Sequence, residues 1–159
     1  MTDELEIKDL KNPGFPKPPL IERGVARLVD FIIAGLLFFL SQPVGPVAAI
    51  VYLLIADGIK GGSFGKRFTG LKVVSVVREG EICDLRESFL RNAIFAVIVL
   101  AYIVVGIVPY VGKFVVLIAG IAVVVMEAVM SVNDESGFRF GDKISGTMTT
   151  TKDASLDTE

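Results

Sequence analysis

Four apolar segments, separated by short breaks, limit the folds open to this chain. They cover about residues 20–40, 43–59, 89–108 and 111–132. A helix needs about 20 residues to cross a hydrocarbon core of about 30 Å, because each residue adds about 1.5 Å. The first, third and fourth segments reach that length and the second is marginal. The pattern therefore predicts an all-α membrane protein with four transmembrane helices.

The breaks indicate how these helices connect. Proline and glycine occur together at 43–46 and again at 109–112, where a straight helix cannot continue. Both turns are short, so we expect two antiparallel helical hairpins. The stretch 57–91 holds seven Lys and Arg residues, whereas the two turns hold only Lys113. The positive-inside rule then predicts a multi-pass protein of the cell (inner) membrane with both termini in the cytoplasm.

The polar parts of the chain predict three further features. Residues 1–19 are rich in proline and residues 151–159 are polar and acidic, which predicts disordered cytoplasmic tails on either side of a membrane domain at 20–150. In the middle loop, residues 71–77 and 81–83 flank a turn at Glu79-Gly80 and predict a small β-hairpin. Asp84 and Glu87 have the spacing of a helix N-terminus, which predicts a short interfacial helix before the third span.

Charged residues inside the first apolar segment define a candidate site. Arg23, Arg27 and Asp30 are separated by four and three residues, so they share one face of a helix. A charge at the centre of a membrane helix costs roughly 2.5–3.5 kcal/mol, which makes these residues functional candidates. Counted along its helix, Glu127 reaches a depth similar to that of Arg27. We therefore expect Arg27 to lie between Asp30 and Glu127 as a charge pair.

Each candidate has a functional and a structural interpretation. Asp30 could bind a cation or a proton in alternation, or it could form a buried ion pair that fixes helix packing. Glu127 lies close enough to the interface for simple snorkelling. Asp142 follows a glycine in a polar segment, where we expect bonds to backbone N–H groups or to Lys66 or Arg67.

The remaining basic residues suggest membrane contacts. We expect Lys66, Arg67, Arg86 and Arg91 to lie near lipid headgroups or to make loop contacts. The glycine-rich loop 61–67 does not match a nucleotide-binding loop, because Lys60 stands where that pattern has glycine and Arg67 where it has Ser or Thr.

Composition excludes several functions. The chain has no histidine, one cysteine and a net charge of −2. No His-based catalysis, disulfide, metal site or nucleic-acid binding is therefore expected, and no cofactor is implied. No nucleophile–base pair is visible, so we do not expect an enzyme.

Several short motifs together resemble the RDD family of small membrane proteins. They are Arg27 and Asp30 in the first segment, GGSFGKRFTGLKVV at 61–74, LRN at 90–92 and GDKISGT at 141–147. The resemblance implies that Asp30 and Asp142 are the two aspartates of the family name and that Arg23 or Arg27 is its arginine. It also implies transport, since a cation/proton antiport role has been attached to some members.

Two functions stay open at this point. The first is transport of a cation, proton or small solute by a homo-oligomer, because four helices enclose little volume. The alternative is a non-transporting membrane scaffold that recruits a protein partner on the cytoplasmic side. The lipid bilayer is the expected surrounding in both.

Overall fold

A computed structural model describes residues 12–105 and 111–154 of the chain. Four longer helices coincide with the four apolar segments. Two short helices and two strands form from the polar segments between and after them. In chain order they are α1 (Leu20–Phe38), α2 (Val44–Ile55), α3 (Phe64–Phe68), β1 (Leu71–Ser75), α4 (Leu85–Val105), α5 (Val111–Asn133), α6 (Phe140–Ser145) and β2 (Thr147–Thr151). A single turn of 3-10 helix, Ala56–Gly58, extends α2.

Two of the long helices have the length and composition of membrane spans. Leu85–Val105 and Phe114–Asn133 are each long and apolar enough to cross a membrane. Helix α1 has 19 residues but carries four charges, and α2 has 12 residues, which is short for a bilayer. The prediction of a mostly helical fold is confirmed, with two candidate membrane spans among the described residues.

The long helices pack in the order α1, α2, α4, α5. Helices α1 and α2 are joined by a tight turn, and a Cβ on Gly45 would lie 2.7 Å from the carbonyl oxygens of Leu37 and Phe38. Only glycine allows this approach, which brings the two helices together as an antiparallel hairpin. Residues 106–110 connect α4 to α5, so most of the predicted second turn lies outside the described residues.

The sheet differs from the predicted hairpin. Strand β1 pairs antiparallel with β2, and Val73 lies opposite Thr149. The expected return strand at 81–83 makes a single bridge, from Ile82 to Val74. The hairpin prediction is therefore wrong in its main partner, because the edge of β1 is filled by a strand from the far end of the chain.

Part of the predicted N-terminal tail is packed. Phe15 is 4% exposed and lies in a cluster with Val74, Phe138 and Met148. Asn12 holds the bend before it by accepting hydrogen bonds from the N–H groups of Gly14 and Phe15. Phe15 and Pro16 thus contact the sheet, the latter by accepting a hydrogen bond from Thr150. The tail predictions for residues 1–11 and 155–159 lie outside the described residues.

The predicted helix start at Asp84 is confirmed. The Glu87 N–H donates to Asp84 and the Asp84 N–H donates to Glu87, which is a reciprocal capping box. The helix that begins there is α4 itself, which continues unbroken to Val105. No separate interfacial helix precedes it in the described chain.

We call α3, β1, α6 and β2 the polar layer, since they cover one end of the helix bundle.

Candidate functional site

Two glycines bring the polar layer onto the long helices. A Cβ on Gly65 would overlap the backbone carbonyl of Ala26 in α1, and a Cβ on Gly141 would overlap that of Arg91 in α4. Each glycine therefore allows a direct backbone approach. These two contacts set the distances among the charged side chains between the layer and the bundle.

Asp57, in the 3-10 turn after α2, is at the centre of a buried charge cluster. Its carboxylate is 1% exposed. One oxygen contacts Lys66 Nζ and accepts the N–H of Ser63 at 3.1 Å. The other lies 3.2 Å from Arg91 Nε and accepts Asn92 Nδ2 at 3.1 Å. A buried carboxylate with two cations and two neutral donors is fully satisfied.

Arg91 connects Asp57 to the polar layer. Its Nη2 lies 3.1 Å from Asp142 Oδ1, and its two terminal nitrogens donate to the hydroxyls of Thr147 and Thr149. These threonines are two residues apart on β2, so they point to the same face of the sheet. The helix α4, the strand β2 and the helix α6 are therefore held by one guanidinium group.

Asp142 is completely buried and accepts from more than one partner. Arg139 contributes its backbone N–H at 3.2 Å and a guanidinium contact at 3.4 Å. Burial by itself would raise the pKa of Asp142, but the neighbouring Arg91 and Arg139 hold that pKa below its usual value. The expected backbone bond is present, whereas Lys66 and Arg67, the expected cation partners, make no salt bridge with Asp142.

Asp30 is buried among neutral donors. Its carboxylate accepts the Tyr52 hydroxyl at 2.8 Å, the Gly65 N–H at 2.9 Å and the Ser63 hydroxyl. In the described residues, no Lys or Arg nitrogen lies within 4 Å of it. Its three donors come from α2, the loop before α3, and α3.

Arg27 does not form the predicted charge pair. Its guanidinium carbon lies 4.6 Å from the centre of the Phe95 ring, and Nη1 is 3.5 Å from Asn92 Oδ1. Its Nη2 is buried and has no hydrogen-bond partner in the described chain. Although Arg27 and Asp30 share α1, Arg27 extends toward α4 while Asp30 extends toward α2 and α3, which separates the two groups.

Glu127, the other predicted partner of Arg27, and Arg23, the alternative candidate for the family arginine, both have other contacts. Glu127 accepts the N–H of Gly141 at 3.2 Å and lies 3.9 Å from Arg139 Nε. Glu127 is 4% exposed, so it is a buried contact between α5 and α6. Arg23 donates to the backbone carbonyl of Gly137 at 2.6 Å and makes no salt bridge within the described residues.

The four residues expected at lipid headgroups divide into two pairs. Arg67 and Arg86 are exposed, as a headgroup contact requires. Lys66 and Arg91 are buried on Asp57, so the headgroup prediction is wrong for both. Both side chains are buried because they pair with Asp57, which lies just after the short α2. Burial lowers the pKa of Lys66 to about 8, although the Asp57 carboxylate favours its charged form.

Several site residues were not singled out in the sequence. They are Tyr52, Asp57, Ser63, Asn92 and Arg139. Asp57 had one usable signal, a charge at the end of an apolar segment directly before the glycine-rich loop. Asn92 is part of the LRN motif, and no local pattern marks Tyr52 as a partner of Asp30.

Cavities adjoin the charge cluster. A small one of about 10 Å³ lies between Arg27, Asp30 and Asp57. A larger one of about 310 Å³ opens between α1 and α5 beside Arg23, Arg27 and Glu127. A third, of about 580 Å³, is almost wholly apolar and lies among α1, α2, α4 and α5.

In residues 12–105 and 111–154, no three carboxylate or thiol groups come close enough to hold a metal ion.

The apolar helices, joined to a polar layer by buried charges, define a small helical membrane protein. A family model described as "RDD family" matches residues 35–146. The chain belongs to the RDD family. The match includes Asp57, Arg91 and Asp142 and begins after Asp30, so it does not cover Arg23, Arg27 or Asp30. Searches of the curated proteins and of the solved structures gave no match.

Proposed function

We propose that the protein is a four-pass transporter that couples a cation or small solute to proton exchange at Asp30. In this proposal α1 and α2 cross the cell membrane together with α4 and α5, and both termini lie in the cytoplasm. Shortness of α2 is compensated by the 3-10 turn and by local thinning of the bilayer. The polar layer then covers the cytoplasmic end of the bundle.

The environment of Asp30 carries the proposal. Every other buried carboxylate described above lies within 4 Å of a basic side chain, whereas Asp30 is bound by neutral groups alone. Its charge can therefore change without breaking a salt bridge. The Ser63 hydroxyl supports both forms, since a hydroxyl can donate to the carboxylate or accept from the protonated acid.

The small space beside Asp30 favours a proton over a metal ion at this carboxylate. Arg27 and Lys66 line the small cavity that contains Asp30, together with Asp57. Arg91 lies on the far side of Asp57, at 3.2 Å. A cavity of about 10 Å³ leaves no room for a metal ion and its ligands, whereas the nearby cations oppose added positive charge of either kind. A proton adds no separate ion and needs no additional ligands.

Flux in liposomes tests the proposal. Purified protein is reconstituted in vesicles containing a pH-sensitive dye, and sodium or potassium gradients are imposed across the membrane. We expect a cation-driven change in internal pH that falls to the rate of protein-free vesicles in Asp30→Asn. The control Asp153→Asn removes an exposed aspartate and is expected to keep full flux.

One further variant and one further measurement distinguish loss of transport from loss of folding. Asp30→Glu retains the carboxylate and is expected to recover part of the flux, and the thermal midpoint of each variant is measured in detergent. Full flux in a folded Asp30→Asn protein would contradict the proposal.

A scaffold role is the second candidate, supported by the extent of the polar layer. Two strands, two short helices and Phe15 form a packed surface that transport alone does not require. Absence of flux under any cation gradient, with a protein that copurifies and is lost when the layer is altered, would favour this function. We further propose a homo-oligomer as the transporting form, which a mass measurement in detergent tests.

A further inference from the structure

The two larger cavities have complementary chemistry and share a boundary. Four basic side chains are part of the otherwise largely apolar lining of the first, which we call the head cavity, whereas the second, which we call the tail cavity, is lined almost entirely by apolar side chains. Both are lined by Phe31, Phe95 and Val124. The cavities are therefore adjacent, and the apolar chain of a ligand bound by its polar end in the first would have to pass the paired rings of Phe31 and Phe95 to reach the second.

The head cavity has an excess of positive charge. Arg23, Arg27, Lys66 and Arg139 line it, against the single carboxylate of Glu127. Asp57 neutralises Lys66, and Asp142 neutralises Arg139. Arg23 and Arg27 have no carboxylate within 4 Å in the described residues, and the buried Nη2 of Arg27 has no acceptor. A buried guanidinium nitrogen without an acceptor is costly, and an anionic oxygen would satisfy it.

The tail cavity lies where a lipid chain could enter. Helices α1 and α5 are not packed against each other as the other neighbouring helices are, so the bundle is open on this side over the described residues. Gly24 and Gly35 of α1 line the head and tail cavities, and a Cβ at either position would meet no atom within 4 Å. The opening therefore faces the surrounding bilayer in the four-span arrangement.

We infer that the two cavities form one lateral binding site for an anionic membrane lipid. Its phosphate group binds Arg27 and Arg23, and one acyl chain extends past Phe31 and Phe95 into the tail cavity. The inference depends on the proposed placement of α1 in the membrane but not on transport. Anionic lipids are enriched in the cytoplasmic leaflet, the side on which the head cavity opens in that placement.

Lipid retention measured by native mass spectrometry tests the site. Detergent-purified protein is titrated with phosphatidylglycerol or with zwitterionic phosphatidylcholine of the same chains. We expect one retained phosphatidylglycerol per chain, with a preference over phosphatidylcholine that drops about tenfold in Arg27→Gln, the effect of one charge-assisted hydrogen bond. The control Lys152→Gln removes an exposed cation that follows β2, at a position not expected to contact headgroups, and is expected to keep the preference.

A second variant tests the tail cavity separately. Gly35→Leu fills open space without touching the basic residues, and we expect it to lower retention of phosphatidylglycerol while the thermal midpoint stays the same or rises. Equal retention of the two lipids by the unaltered protein would overturn the inference. So would binding of inorganic phosphate that displaces no lipid and is unaffected by Gly35→Leu, since that identifies a site for a soluble anion.

Another occupant would give a distinct result. If a second copy of the chain fills the gap between α1 and α5, Gly35→Leu will change the oligomeric mass and leave lipid retention unchanged, and the lipid site is then wrong. Because flux is not measured, failure here leaves the Asp30 proposal intact. In the same way, the flux of Asp30→Asn tests the transport proposal alone and does not bear on the lipid site.

Discussion

The two ends of the helix bundle are built on opposite principles. At the polar layer, Gly65 and Gly141 bring backbones into contact, and one ion network joins α2, α3, α4 and α6. At the other end an almost wholly apolar cavity of about 580 Å³ lies among α1, α2, α4 and α5. Directional bonds fix one end in a single arrangement, whereas non-directional apolar contacts leave the other end room to adapt.

The largest test of this contrast is the removal of Arg91. Arg91→Leu leaves Asp57 and Asp142 buried with fewer cations, and breaking a buried pair in this way costs about 3–5 kcal/mol. We expect a corresponding fall in the free energy of unfolding, measured by thermal or denaturant unfolding in detergent. Arg86→Leu, an exposed position on the same helix, should change stability by only about 0.5 kcal/mol or less. Equal losses in the two variants would show that the network does not stabilise the polar end.

One substitution placed at each end sharpens the comparison. Gly65→Ala adds a methyl group that overlaps the Ala26 carbonyl, and such overpacking costs about 1–3 kcal/mol. Gly35→Ala adds the same group in open space, where alanine stabilises a helix by roughly 0.5–1 kcal/mol relative to glycine. Thermal midpoints should therefore move in opposite directions. A shift of the same sign in both would contradict the difference between the two ends.

A smaller effect is expected from acid. Because the pKa of Asp142 is lower in the folded protein than in the unfolded chain, the unfolded chain binds more protons in the acid range. The stability that Asp142 contributes is present above its unfolded pKa of about 3.9 and is lost as the pH falls toward the folded value. We expect the thermal midpoint to fall below about pH 4 and to fall less steeply in Asp142→Asn. The exposed control Asp153→Asn should retain the original profile.

Sequence reasoning worked where the cause is local. The apolar segments predicted the long helices. Asp84 and Glu87 predicted the start of α4, because capping involves residues three apart. The partner of β1 was missed, since pairing between residues 71 and 151 leaves no short-range signal. Strand β2 is a threonine-rich stretch without apolar alternation, so it resembles a polar tail.

Charged residues at helix ends were the hardest to place. Arg91 near the start of an apolar helix has the pattern of a headgroup contact, and only the folded position of Asp57 brings it inward. The pair of Arg27 with Asp30 followed from helical spacing, but that spacing does not fix where long side chains extend. Deciding between these outcomes requires the packing of α2, α3 and α4, which the sequence of one helix does not contain.

The order of residues in the Arg91 network has a consequence for biosynthesis. Asp142, Thr147 and Thr149 follow Arg91 by more than 50 positions. At about 5–20 residues per second, translation supplies these partners roughly 3–12 s after the arginine itself. During that interval Asp57 is the one acidic partner of Arg91, among the described residues, that has already been synthesised. Arg91 therefore has its full set of described partners only once β2 has been synthesised.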